Sequence, residues 1–282
     1  MVLKPFKSIG IGVAFSPTLK ANLYEAARLS IFFESKLFLI HVGEASEDKI
    51  NMLHDILSPF KKDNLTFEAV FKTGKPVNVI LSVAEKKHID LLILGAVQRE
   101  QFLKYYVGSI ARKITRQAQC SILLLIKPAV ERVPCKNIVV NGLEDPKTKN
   151  TITYAFYVAK MLSAEKITIV EEIKQDTIHV RVDDDKSLRK ANIIKERIKL
   201  RENSRVNEIV QDIPNTYTDD IAIKSQPIFG KQGYSIGHYA QITRADLLVM
   251  NAPLKMTFWD RLFPHDIEHI LTELPTDVLI LQ

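Results

Sequence analysis

The chain is expected to fold as two doubly wound α/β domains in tandem, each built on a parallel sheet. Three observations predict this. Apolar, strand-like runs alternate with segments of helical spacing through the first half. The runs are almost continuously apolar, as in Lys36-Leu37-Phe38-Leu39-Ile40-His41-Val42, which suits strands covered by helices on both faces. The pattern then starts again: Lys7-Ser8-Ile9 returns as Lys136-Asn137-Ile138, and Asp90-Leu91-Leu92 as Asp246-Leu247-Leu248.

The elements follow in order. Ser8–Val13 is a first strand, with Ile9, Ile11 and Val13 apolar. Ser16-Pro17-Thr18 signals a helix start, because proline is tolerated in a first turn. Leu23, Ala26, Ala27 and Ile31 then recur at helical spacing. Lys36–Val42 is the second strand. Asp48–Phe60 places Ile50, Leu53, Ile56, Leu57 and Phe60 on one helical stripe. Thr66–Lys72 alternates as a strand does. Gly74-Lys75-Pro76 is a turn, and Val77–Lys87 a helix with Val77, Ile80, Leu81 and Ala84 inward. Asp90–Leu94 is the fourth strand, Gly108–Gln117 a short helix and Ser121–Ile126 the fifth strand. Right-handed crossovers join such units into one sheet.

Lys127–Pro134 reads as a linker, which divides the chain into domains at 1–130 and 135–282. Early matches between the halves lie 129 residues apart, and those from Gly74-Lys75 and Gly230-Lys231 onward lie 156 apart. The second half therefore carries 27 extra residues, within about 174–213. Ser187–Ile213 is expected to be a long, charged, mostly exposed helix, broken near Asn203-Ser204. Gln175–Val182 is a candidate extra strand before it.

Composition excludes several classes. Apolar residues make up 46% of the chain, enough for a sizeable core, and no apolar run is long enough to span a membrane. The N-terminus lacks the pattern of a signal peptide, so a cytoplasmic location is expected. Two cysteines, Cys120 and Cys135, make no disulfide framework. The net charge of +6 sits in the first half, which suits an anionic ligand or simply solvated helix faces. No nucleic-acid motif appears. Asp183-Asp184-Asp185 lacks the glycine and spacing of a calcium loop and reads as a turn or helix cap. His265 and His269 share a helical face, but no third metal ligand accompanies them. No nucleophile elbow, zinc spacing or complete P-loop is present.

One loop carries the functional signal. The fourth strand ends at Gly95, and the helix beyond the loop starts at Gly108-Ser109. A helix N-terminus offers unpaired backbone N–H groups and the positive end of a dipole, which suits phosphate. The same glycines would also serve strand–loop–helix geometry alone. Arg112 and Lys113 are candidates for steering phosphate, or for plain surface roles.

In their order and spacing these residues resemble the universal stress protein family in its tandem form. The resemblance rests on Phe6-Lys7-Ser8-Ile9, Leu39-Ile40-His41-Val42, Gly74-Lys75-Pro76 with the helix through Ala84-Glu85-Lys86, and Gln117-Ala118-Gln119-Cys120-Ser121-Ile122-Leu123. It implies an adenine nucleotide alpha hydrolase-like fold with strand order 3-2-1-4-5 and a pseudo-two-fold axis, the halves pairing through Ser121–Ile126 and Val278–Leu281. It implies a non-enzymatic, cytoplasmic stress-response protein that binds ATP or a related adenine nucleotide with magnesium. The family's ATP motif is Gly, two residues, Gly, nine residues, Gly, then Ser or Thr. Gly95 and Gly108-Ser109 match its ends, while Gln98 replaces its middle glycine. Ala14 stands where ATP-binding members carry an Asp, and Val42 where they contact adenine. The nucleotide-binding set implied is thus Ala14, Val42, Gly95, Gln98, Gly108, Ser109 and Ile110. His41 belongs to a strand-end pattern and reads as structural.

The second half departs further. Leu143, Asn251, Leu254, Pro264 and His265 replace Ala14, Gly95, Gln98, Gly108 and Ser109, so its cradle is lost. Met256, Phe258, Trp259, Leu262 and Phe263 would fill the vacated pocket or form a contact surface. Two rival functions stay open: a nucleotide-independent module for an unknown protein partner, using the 187–213 segment or the Trp259 loop, and a weak ATP hydrolase. Neither a nucleic acid nor a membrane partner is expected, and further homodimerisation is compatible with the fold.

Overall fold

The computed structural model describes residues 5–98, 105–174, 177–178, 181, 183–231, 233–252 and 266–282. In the first half, β1 (Ser8–Val13), α1 (Leu19–Phe32), β2 (Lys36–Val42), α2 (Glu47–Leu57), β3 (Phe67–Lys72), α3 (Pro76–Lys86) and β4 (Leu91–Gly95) alternate as expected. A two-stranded hairpin follows, β5 (Val97–Gln98) with β6 (Tyr105–Tyr106), then α4 (Ser109–Gln117) and β7 (Ser121–Leu125). The second half runs β8 (Asn137–Asn141), α5 (Thr148–Leu162), β9 (Lys166–Lys174), α6 (Asp185–Gln211), α7 (Asn215–Thr218), β10 (Ala222–Gly230), α8 (Tyr234–Ile242), β11 (Leu247–Asn251), α9 (Asp266–Thr272) and β12 (Asp277–Leu281).

Ten strands form one sheet in the order β10-β9-β8-β11-β12-β7-β4-β1-β2-β3. Read from each outer edge towards the centre, each half has its strands in the expected 3-2-1-4-5 order. Pairing is parallel within each half and antiparallel only where β7 meets β12, with Leu123 opposite Leu279. An antiparallel junction between two parallel half-sheets is what a pseudo-two-fold axis between them requires. It also leaves neither central strand with an open edge.

The alternation of side chains divides the core between the two faces of the sheet. One face carries Ile9, Ile11, Leu37, Leu123, Ile138, Val249 and Leu279 under α1, α2 and α5. The other carries Ile40, Leu92, Leu124, Val139, Leu248 and Ile280 under α3, α4, α8 and α9. The first face is continuous across the halves: the rings of Phe33 and Tyr157 stack with centroids 5.8 Å apart.

A repeated aspartate fixes how each half begins. Asp90 Oδ2 accepts from Lys7 N at 2.9 Å and Ser8 N at 3.0 Å. Asp246 Oδ2 accepts from Lys136 N and Asn137 N, both at 2.8 Å. The matched Asp-Leu-Leu triplets thus mark a charge-assisted clamp on the first strand of each half.

Three expectations need correction. The second helix ends at Leu57 and continues as a 3-10 turn over Ser58–Asp63. Pro59 has no N–H for the helical ladder, and the Ser58 hydroxyl donates to Asp55 O at 2.8 Å instead. The inserted helix is not broken at Asn203-Ser204: α6 runs through 27 residues. Its inner face buries Ala191, Glu202 and Val206, so tertiary packing overrides the weak helix propensity of Asn and Ser. Its start is a capping box, with Asp184 accepting from Ser187 N at 2.7 Å. This bears out the cap reading of the aspartate run and holds the Asp184 carboxyl below its usual range, through that backbone hydrogen bond first. The third correction is that residues 177, 178 and 181 are not strand. The rest of the Gln175–Val182 expectation lies outside the described residues. So do Leu254, Met256, Phe258, Trp259, Leu262, Phe263, Pro264 and His265.

Candidate functional site

The site residues of the first half gather at the carboxyl ends of β1, β2 and β4. Val13 is opposite His41, so continuing the register puts Ala14 opposite Val42. Ile11 is opposite Ile93, so the same continuation puts Val13 beside Gly95. This is where the strand order reverses between β1 and β4, the usual crevice for a ligand in a doubly wound sheet. Ala14 turns the chain sharply, its carbonyl accepting from Ser16 N at 2.9 Å. Gly95 is exposed, and among the described residues an added Cβ would meet only Asn22 Oδ1 of α1, at 3.7 Å. That gap between β4 and α1 is open.

His41 is structural. Its Nδ1 lies 3.0 Å from Val13 O, and its ring sits edge-on to Phe15 at 4.9 Å and to Phe71 at 5.5 Å. These contacts hold the ends of β1, β2 and β3 together beside the crevice. Gly43 lets the chain pass this ring, because a Cβ there would come within 2.8 Å of His41 Nε2.

The far side of the crevice is the start of α4. Gly108 is the N-cap, in an extended conformation, and supplies no side chain to cap the helix. Ser109 is exposed, and Ile110 is 47% exposed. Among the described residues no side chain caps this helix start, which leaves its first N–H groups to solvent or to an anion. Gln98 lies in the β5–β6 hairpin, opposite Tyr105, so its backbone is extended and paired. A ladder residue does not offer the backbone freedom of the glycine that the motif places there.

The hairpin is also tied to the other half. Val107 N donates to Leu271 O at 3.0 Å, and Leu274 N to Tyr105 O at 2.9 Å. Arg112 Nη2 donates to Leu271 O at 3.1 Å. Arg112 thus fastens α4 to the second half and is not a plain surface residue. Nothing in the sequence between Gly95 and Gly108 revealed this strap, because the partners lie far along the chain.

The equivalent place in the second half is closed. Asn251 stands where Gly95 stands, and its side chain fills the gap between β11 and α5. Its Oδ1 accepts from the Thr151 hydroxyl. Its Nδ2 lies 3.3 Å from Thr148 Oγ1 and 3.4 Å from Asp145 Oδ1. Thr151 is the counterpart of Asn22. From above, α6 adds Arg205, which donates to Gly142 O and pairs with Glu202 at 3.0 Å. Glu202 is buried and also pairs with Arg201. Beside it Glu171 is buried, accepting from the Ser225 hydroxyl at 3.0 Å. Burial pushes the Glu171 carboxyl up to about 7, and the nearby Glu202 charge adds to that.

Comparison with known proteins agrees with this geometry. The universal stress protein family profile matches residues 59–125. A universal stress protein of Methanocaldococcus jannaschii is 34% identical over 58 residues, a stretch that covers 21% of this chain and 34% of that relative. The chain thus spans about a third of the length of that curated relative. A functionally unknown protein from Pseudomonas aeruginosa superposes over 98% of this chain and 92% of its own, with a TM-score of 0.68 and 16% identity. A universal stress protein from Archaeoglobus fulgidus does so over 98% of both chains, with a TM-score of 0.65 and 15% identity. These structures share the fold along the whole chain, and the profile match includes β3, α3, β4, α4 and β7, the elements on either side of the candidate loop. The chain thus resembles the universal stress protein family over residues 59–125 and shares the fold of these structures along its whole length.

Proposed function

We propose that this is a non-enzymatic, cytoplasmic stress-response protein whose first domain, residues 1–130, holds ATP or a related adenine nucleotide. In this reading the second domain, residues 135–282, is a closed scaffold. One observation carries it: Gly95 leaves open the gap that Asn251 fills, beside a helix start with no side-chain cap. The phosphates would lie on the N–H groups of Ser109 and Ile110, with the Ser109 hydroxyl beside them. The adenosine portion would lie along Ala14 and Val42. Ala14 offers it no side-chain hydrogen bond, so affinity would be about tenfold below that of a site with a carboxylate there. None of the residues in the set carries a carboxylate, so magnesium would arrive as part of the nucleotide's own phosphate chelate.

The test is titration of the full chain with ATP and magnesium by calorimetry, alongside Gly108→Glu. Saturable binding that the substitution abolishes is the expected result. No binding up to millimolar ATP would end the reading. Binding that survives Gly108→Glu would move the site elsewhere. Phosphate release above a buffer control, lost in the same variant, would replace the non-enzymatic reading with a hydrolase.

A further inference from the structure

A cavity of about 310 Å3 lies on the seam between the two halves. Leu123 and Leu125 of β7 and Leu279 of β12 line it from the sheet, Phe32 of α1 and Leu162 of α5 from the helices. Residues 126–135, which connect the halves, contribute to its lining as well. Its size falls within the range of small-molecule sites, roughly 300–1,000 Å3, and its mostly apolar lining with a few polar groups is also theirs. It shares no residue with the Gly95 cradle, so it stands independently of nucleotide binding.

The polar groups lining it are unequal in their partners. Arg28 donates to Val130 O at 2.7 Å and to Ala129 O, and pairs with Glu25 at 3.0 Å. Glu25 also accepts from Ala129 N at 3.2 Å. Arg132 lies over the Phe32 ring at 4.7 Å, and Lys127 over the Tyr105 ring at 5.6 Å. Asp246 is occupied by the backbone clamp on β8. Arg28 Nε is buried without a partner, but the guanidinium as a whole is neutralised by Glu25; Asp277 is the lining carboxyl without such a counter-charge. Its Oδ1 accepts from Ile126 N at 2.8 Å, while its Oδ2 makes no hydrogen bond and the carboxyl has no ion-pair partner among the described residues. Burial pushes this carboxyl up to about 7, with the charges of Glu25 and Asp246 adding to the rise. A carboxylate on the wall of an apolar cavity without a cation is costly, and a ligand that brings the cation relieves that cost.

We propose that this cavity binds a small amphipathic amine, with its apolar body against Phe32, Leu125 and Leu279 and its ammonium group on Asp277. An anionic ligand of the same shape would meet Asp277 as a like charge. A neutral one would leave the carboxylate without a counter-charge. The cationic class is the one that gives Asp277 its counter-charge.

The experiment is calorimetric titration of the full chain at pH 8 with 2-phenylethylamine, 2-phenylethanol and 3-phenylpropionate. The amine is expected to bind at least about tenfold more tightly than the alcohol, and the carboxylate not at all. Asp277→Asn keeps an oxygen for Ile126 N, and should weaken the amine about tenfold while leaving the alcohol unchanged. The unsubstituted protein supplies a second measurement that does not depend on the variant folding. At pH 6 Asp277 is more protonated while the amine stays charged, so amine binding should weaken several-fold relative to pH 8. Three results would overturn the proposal: no saturable binding of any probe at 10 mM, alcohol or carboxylate binding as tight as the amine, or amine binding indifferent to Asp277→Asn or to pH.

Discussion

The two strand-four ends, Gly95 and Asn251, occupy the same place in the same fold and do opposite things. At Gly95 the backbone ends in an open gap, 3.7 Å from Asn22 at the position of an absent Cβ. At Asn251 a side-chain amide spans that gap and engages Thr148, Thr151 and Asp145. The second half then adds α6, which sends Arg205 to the Gly142 carbonyl at the end of β8. A fold that leaves a crevice at its switch point must either use it or fill it, because polar groups enclosed there need partners. The first half keeps the crevice. The second half has converted it into internal structure, and the 27 residues of α6 are the largest part of that conversion.

The sharpest way to break this comparison is at Arg205. Arg205→Ala removes one partner of the buried Glu202 carboxylate and leaves the Gly142 carbonyl without its donor. Arg201 would still pair with Glu202, so the loss should be about 3 kcal/mol, at the lower end for breaking a buried pair. Urea denaturation of the full chain measures it. A change too small to detect would mean that α6 merely lies on the second half and does not close it.

Next in size is Asn251→Gly, which recreates the first half's residue in the second. Thr148, Thr151 and Asp145 would lose a shared partner, at a cost of about 1–3 kcal/mol. If stability is unchanged while ATP binding appears in the second half, the network is incidental and the crevice has only been masked.

Much of this contrast was legible from the residues alone. The halves follow from periodicity and repeat, because burial on both faces of a parallel sheet writes itself into nearly continuous apolar runs, while their strand order and central pairing were implied by the family resemblance. Gly95→Asn at the matched position identified the lost cradle. The means of closure were not legible. Glu202 reads as an ordinary surface charge in a charged, mostly exposed segment, and nothing around Glu171 in the sequence marks it, yet both are buried. Arg205 is an i,i+3 neighbour of Glu202 on α6, but Ser225 of β10, which donates to Glu171 of β9 and lies 2.7 Å from Asn203 of α6, joins elements that only tertiary packing brings together. The tie made by Arg112 was not legible for the same reason: its partner, the Leu271 carbonyl, is 159 residues away along the chain.

The Glu171 carboxyl tests the closed half in another way. Its folded value, about 7, lies above its ordinary 4.5. The folded state therefore holds its proton more tightly than the unfolded chain. The associated stability is present at low pH and is lost as pH rises from about 4.5 to about 7, after which it stays lost. Glu171→Gln should accordingly stabilise the protein at pH 8 by on the order of 1–3 kcal/mol and have little effect at pH 4. Thermal or urea midpoints at the two pH values read this directly. Equal effects at both would mean that the glutamate's charge is already compensated.

The smallest expected effect on stability carries the most information about the open half. Gly95→Asn places the plugging residue in the first half. Gly95 does not have a positive φ, and the new Cβ would sit in ordinary contact with Asn22. The fold should therefore accept it with a stability change within about 0.5 kcal/mol. The side chain would project into the gap beside the first turn of α4, where the phosphates are proposed to lie. ATP affinity should then fall by at least about tenfold, while the midpoint of unfolding without nucleotide stays where it was. Unchanged affinity would show that the gap at Gly95 is not part of the site, and that the difference between the two strand ends concerns packing alone.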